Sequence, residues 1–114
     1  MQKNEIVDVS FEFALNIIEY CELLEEKRKY VIARQLLRSG TSIGANVRES
    51  QNAESKADFV HKLKIAAKEA DETEYWLQLC KHSKNYPSSD TLEKTIISIK
   101  KLLSSIISTM KKNM

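Results

Sequence analysis

Residues 34–51 read RQLLRSGTSIGANVRESQ, and the way this stretch folds decides the architecture. It holds both glycines of the chain, Gly40 and Gly44, one helical turn apart among Ser39, Thr41, Ser42 and Ala45. Leu36 and Leu37 precede the cluster, and Ile43 and Val47 lie within and after it. Two conformations fit these residues. Ser-Gly-Thr-Ser could be a loop between two short helices, since Gly and Ser are common breakers. Alternatively one helix runs straight through, and the small residues admit a neighbouring backbone. The phase favours the helix. Ile32, Leu36, Ile43 and Val47 stay on one face at 100° per residue, and a loop has no reason to keep that phase. Gly40 and Gly44 fall together, to one side of that face. A helical Gly costs roughly 1 kcal/mol relative to Ala, so close packing at both positions is expected to offset it. G-x-x-x-G also joins helices in membranes, but no apolar run here approaches the roughly 20 residues a span needs.

The remaining composition agrees with a helical protein. A chain of 114 residues is the size of one domain, taken as 1–114. Two Gly and one Pro leave room for few turns, and 42% apolar with 30% charged residues suits an all-α fold. The formal charge of +2 is too small to imply nucleic-acid binding globally, so such binding must rest on local patches. The N-terminal MQKNEIVDVS has no apolar signal-peptide core, which makes the cytoplasm the default location. Cys21 and Cys80 fall on apolar helical stripes and read as small buried hydrophobes, reduced and unpaired. No C-x-x-C and no His at ligand spacing supports a metal site.

Four helices follow from periodicity. The first begins near Asp8 or slightly earlier and ends around Glu26. Val7, Phe11, Ala14, Ile18 and Cys21 recur at 4-3-4-3 spacing as its expected core stripe, widened by Leu15, Ile17 and Leu24. The charged run Glu25–Lys29 is the expected solvated connection. The second helix takes Tyr30 to about Asn52. Its outer side carries Arg34, Arg38, Thr41, Ala45 and Arg48, again at 4-3-4-3 spacing. The third starts near Ser55, where Ser-x-x-Asp58 resembles a capping box, and runs to about Lys84. Phe59, Leu63, Ala66, Ala70, Thr73, Leu77 and Cys80 give it an unbroken heptad stripe, which predicts shallow-angle packing. A second stripe includes Ile65, Trp76 and Leu79 and is the expected subunit interface, because a helix with two apolar-containing faces is more buried than a monomer requires. Pro87, in the turn Asn85–Ser89, requires the third helix to end by Tyr86, and Asp90 with Glu93 is the expected N-cap of the fourth helix. Leu92, Ile96, Ile99, Leu103, Ile106 and Met110 form its stripe, and Lys111 and Lys112 suit its dipole. Short loops predict an antiparallel up-down-up-down four-helix bundle.

Several segments also carry a resemblance. They are Arg38-Ser39-Gly40-Thr41-Ser42-Ile43-Gly44-Ala45-Asn46, then Asp58-Phe59 with Lys62-Leu63, Ala67-Lys68-Glu69-Ala70, and Glu72-Thr73-Glu74-Tyr75-Trp76-Leu77. In this order and spacing they resemble the small bacterial four helix bundle protein family, also called the 23S rRNA intervening-sequence protein family. Glu49-Ser50 departs from the Glu-Ala or Glu-Gly common there. The resemblance implies an antiparallel bundle, assembly as a ring of five, and similarity to the accessory variability proteins of diversity-generating retroelements. Those proteins bind nucleic acid and a reverse transcriptase, so it implies RNA, DNA or a reverse transcriptase as partners, and no membrane.

The residues themselves permit less chemistry than the fold. A di-iron bundle needs Glu-x-x-His on two helices, whereas Asp58-x-x-His61 occurs once and His82 has Leu79 at the matching position. No Arg lies four to six residues before either His, and no nucleophile has a base nearby in sequence. No cofactor and no enzymatic activity are expected. The leading function is phosphate binding to RNA or DNA, without sequence reading, by Arg34, Arg38, Arg48, Lys64 and Lys68. The competing class is a protein–protein scaffold, in which those charges are solvated surface.

Overall fold

The computed structural model describes residues 4–114. It contains α1 (Glu5–Glu26), α2 (Tyr30–Ser50), α3 (Lys56–His82) and α4 (Asp90–Lys112), with no strand among the described residues. The ends follow from local chemistry. Asn4 caps α1 by accepting from the Val7 amide, so the helix starts a turn before Asp8. Ser55 Oγ accepts from the Asp58 amide at 3.0 Å, and Asp58 reaches back to the Glu54 amide at 3.2 Å. At α4 the expected cap is corrected: Ser89 holds the N-cap position and Asp90 is the first helical residue. Ser89 is buried and its hydroxyl donates to Glu93 Oε2 at 2.8 Å, while the Asp90 carboxylate sits where the helix dipole favours it.

The α1–α2 connection is tighter than a solvated turn. Arg28 takes a left-handed conformation (φ 63°), the Lys29 amide donates to Leu24 O at 2.8 Å, and the Arg28 amide donates to Glu25 O at 2.9 Å. This is the Schellman closure, which usually places glycine at the left-handed position. Lys29 Nζ then lies 5.0 Å above the Tyr86 ring of the α3–α4 loop.

Helix α2 is unbroken through Ser39–Ser42, which excludes the loop alternative. Its glycines are where α1 comes closest. A Cβ on Gly40 would lie 2.9 Å from both Cγ1 and Cγ2 of Ile17, and one on Gly44 would lie 3.2 Å from the Ser10 carbonyl oxygen. Each helix backbone comes close to its two neighbours in a square, α1 to α2 and α4, and α3 to α2 and α4, and not to the helix across the diagonal. Cross-helix partners run in opposite residue order. Glu49 pairs with Lys62 and Arg38 with Glu69 across α2–α3, and Lys100 meets Asp71 and Glu74 while Lys81 meets Glu93 across α3–α4. Tyr20 OH donates to Pro87 O at 2.8 Å and ties α1 to the far loop.

One continuous apolar core fills the square. The α3 stripe is buried as phased from Leu63 to Cys80, with Val60 rather than Phe59 at its start. Leu92, Ile96, Ile99 and Leu103 of α4 are buried, as are Leu36, Ile43 and Val47 of α2. In α1 the expected stripe holds at Ile17, Cys21 and Leu24 but fails at Phe11, Leu15 and Ile18. The buried residues are Ile6, Ser10, Phe13, Ile17, Tyr20, Cys21 and Leu24, whereas Phe11 is 55% and Ile18 41% exposed. Helix α1 is apolar on two stripes roughly 100° apart, and periodicity alone cannot choose between them. The α2 glycines choose: their bare backbone accepts Ser10 and Ile17, so the stripe containing a small serine turns inward. Buried polar atoms are satisfied, with Thr73 Oγ1 bonded to Ser39 Oγ at 2.9 Å across α2–α3.

Both thiols are free and buried. Burial, aided by Cys80 and Glu25 nearby, pushes the Cys21 thiol from about 9 up to about 12. Burial also raises Cys80, and burial raises Tyr20. The folded state therefore keeps protons that the unfolded state releases above pH 9, and stability falls as pH rises from 9 toward 12.

Gly40→Ala should lower stability by up to about 2 kcal/mol, because the overpacking cost of roughly 1–3 kcal/mol outweighs the roughly 1 kcal/mol gain in helix propensity. In an Ile17→Ala background the same change should become stabilising, and urea melts of the four proteins would show whether the sign reverses. The thiols should react with a disulfide reagent at pH 8 only after unfolding by denaturant, and the urea midpoint should fall between pH 9 and 11 less steeply in Cys21→Ala than in the parent.

Candidate nucleic-acid interface

The five expected phosphate-binding residues are all exposed, but they do not share one surface. Arg38 is already engaged. Its guanidinium bridges two carboxylates of α3, contacting Glu69 Oε1 at 3.0 Å and, more closely still, Glu72 Oε2. Glu72 also accepts from Trp76 Nε1 at 2.9 Å. Arg38 thus fixes α2 against α3, and its charge is balanced locally.

Arg34 and Arg48 lie on the exposed side of α2 with no ion-pair partner among the described residues. Arg48 lines a groove of about 460 Å³ between α1 and α2, together with Val7, Phe11, Ala14, Gly44 and Ala45. Lys64 and Lys68, one turn apart on α3, face the other way. Contact with the Lys111 ammonium, and its like charge, hold Lys64 below the usual lysine range. Lys111 belongs to α4, which lies diagonally across the square from α2. The basic groups therefore form two separate patches, one on α2 and one along α3–α4.

The α3–α4 patch gains a member that the sequence did not assign. Lys111 reads from sequence as a favourable charge at a helix C-terminus, and only the pairing of α3 with α4 brings it beside Lys64. Lys64, Lys68 and Lys111 have no carboxylate within salt-bridge distance among the described residues. Further along the same helix pair, Lys100 is neutralised by Glu74 at 2.8 Å and Asp71 at 2.9 Å. Lys64, Lys68 and Lys111 thus leave uncompensated charge toward the end of the molecule where α3 begins and α4 finishes.

The residues expected at a subunit interface are placed as follows. Trp76 is half-buried, packs against the core, and is held by Glu72. Ile65 is half-buried, and Leu79 is 39% exposed. Larger exposed apolar groups sit on α1, where Phe11, Leu15 and Ile18 follow one another along the helix. That helix carries a second feature overlooked in the sequence. Glu5, Asp8, Glu12, Glu19, Glu22, Glu25 and Glu26 are its only charged residues, and none forms an ion pair among the described residues. A count of charge by helix would have shown it. No group of three or more His, Cys, Asp or Glu side chains is arranged to hold a metal among the described residues. No described helix is long and apolar enough to cross a membrane.

Comparison with known proteins places this arrangement. No curated protein matches the chain. A crystal structure of a protein of unknown function from the S23 ribosomal protein family of Bacteroides thetaiotaomicron superposes with a TM-score of 0.85 at 46% sequence identity, covering 90% of this chain and 97% of that one. The family model described as 23S rRNA-intervening sequence protein matches residues 2–106. A match over nearly the whole length establishes that the chain belongs to the 23S rRNA-intervening sequence protein family.

Proposed function

We propose that this protein is a non-enzymatic cytoplasmic accessory protein, an antiparallel up-down-up-down bundle assembled as a ring of five, that binds RNA or DNA through phosphates without reading sequence. The opposite order of cross-helix partners supports the antiparallel sense, and the resemblance of the α2–α3 motifs supports the ring. The observation that carries the binding is the patch of Lys64, Lys68 and Lys111. Three ammonium groups, with Lys64 held below the usual lysine range by the Lys111 ammonium beside it, have no carboxylate within salt-bridge distance among the described residues, whereas Lys100 on the same helix pair is neutralised. Phosphate oxygens would supply the missing negative charge, and a ring would repeat the patch on every subunit. Lysines carry no base-edge geometry, so the contact is sequence-independent. The buried, protonated thiols are poor nucleophiles, which agrees with a non-catalytic role. Similarity to retroelement accessory proteins suggests a reverse transcriptase as a protein partner.

Anisotropy of labelled single-stranded RNA and duplex DNA across a salt series tests the binding. Affinity should fall steeply with salt. The variant Lys64→Ala with Lys68→Ala and Lys111→Ala should flatten the slope for duplex by up to about 3 per contacting subunit, at roughly 0.9 per phosphate. Arg38→Ala should leave the slope unchanged. Absence of binding at low salt would remove the nucleic-acid function and leave the protein–protein scaffold.

A further inference from the structure

The α1–α2 and α3–α4 loops meet at one end of the molecule, where Lys29 Nζ stands 5.0 Å from the centre of the Tyr86 ring. That end is separate from Lys64, Lys68 and Lys111. Helix α3 finishes at His82, about 27 Å beyond Lys64 at 1.5 Å per residue. The first loop carries Lys27, Arg28 and Lys29, and the second carries Lys84. Glu25 and Glu26 close α1 beside them, yet no carboxylate lies within salt-bridge distance of any of these cations among the described residues. Helix α2 then starts with no acidic residue in its first turn.

Aromatic and apolar groups stand among these charges. Tyr30 is 48% and Val31 69% exposed at the start of α2. A cleft of about 260 Å³ is lined by Arg28, Lys29, Tyr30, Val31, Ile32 and Tyr86. A turn that is merely solvated has no use for such a lining. Arg28 is the sharper sign. It holds φ 63°, the left-handed conformation in which glycine carries no Cβ penalty. Arginine at that position weakens the turn relative to glycine, and in exchange sets a guanidinium at the cleft.

We propose that this cleft binds one nucleotide of a single-stranded RNA or DNA, with the base stacked on Tyr30, its phosphate held by Arg28 and Lys29, and the neighbouring phosphates drawn to Lys27 and Lys84. Every base has a π face, so an aromatic ring beside cations takes a strand without reading its sequence. The cleft admits a single planar base. A duplex keeps its bases stacked on one another and closed to Tyr30. An acidic peptide would answer the cations but not the ring. The site deepens the nucleic-acid function proposed above and rests on it: Lys64, Lys68 and Lys111 take phosphates of any strand, whereas this cleft selects unpaired bases.

Anisotropy of a labelled oligothymidine and of an abasic deoxyribose strand of equal length, each with the full-length protein, tests it. Oligothymidine should bind more tightly by about 5- to 100-fold, the range that base–aromatic stacking supplies. Tyr30→Ala should erase that difference by lowering the affinity for oligothymidine alone, and Tyr30→Phe should preserve it. Arg28→Gly should weaken both strands while raising the urea midpoint, because glycine accepts the left-handed turn. Loss of affinity in a more stable protein separates a lost contact from a lost fold. Equal affinity of the wild type for the two strands, a difference that persists in Tyr30→Ala, or an oligoglutamate peptide bound as tightly as oligothymidine overturns this site. Each of those outcomes leaves the duplex salt slope, and its flattening in the Lys64, Lys68 and Lys111 variant, as a separate measure of phosphate binding. Absence of binding to every nucleic acid at low salt overturns both.

Discussion

The close approach of α1 to α2 is the contact on which the other helices depend. Two glycines one turn apart strip α2 of side chains along one edge, and the α1 backbone at Ser10 and the Ile17 side chain fill the space. Each glycine weakens α2 on its own, but together they fix both the distance between two helices and the rotation of α1 about its axis. Ile17 is stiff at χ1 in a helix, and its Cγ atoms lie 2.9 Å from where a Gly40 Cβ would be. Once α1 is set, Tyr20 reaches Pro87, the loop that carries Pro87 starts α4, and the fourth corner of the square follows.

The rotation of α1 also decides what the molecule shows to its surroundings. Turning Ser10, Phe13 and Ile17 inward leaves Phe11, Leu15 and Ile18 outside, among carboxylates. The choice of core face and the choice of exposed apolar face are one event. On the opposite side, ion pairs between α2 and α3 and between α3 and α4 absorb part of the charge. Surface pairs of this kind contribute little stability, at roughly 0–1 kcal/mol each. Their effect is on the distribution of potential, because they cancel Arg38, Lys62, Lys81 and Lys100 and leave Lys64, Lys68 and Lys111 among the uncompensated cations on that side.

Sequence and structure agree closely where a residue's role depends on its own helix. The heptad line of α3, the inward stripe of α4, and the passage of α2 through Ser-Gly-Thr-Ser were all readable, since each rests on spacing along one chain segment. Ser55 and Asp58 announced the start of α3 for the same reason. The candidate site was readable only in part. Exposure of the five basic residues followed from helical phase, but their neutralisation did not. Nothing in the spacing of Arg38 foretells that Glu69 and Glu72, a whole helix away, will take its charge. Lys111 could be read as a dipole partner but not as a neighbour of Lys64.

The sequence by itself determined four helices, their limits to within a few residues, the family, and which face of α2, α3 and α4 turns inward. The tertiary structure alone decided which of two apolar stripes of α1 is buried, which cations are left unpaired, and how the basic residues divide between two surfaces. The physical reason is common to all three. Periodicity states which residues share a face, while the rotation that aims that face is set by a neighbouring helix, here by the missing side chains at Gly40 and Gly44.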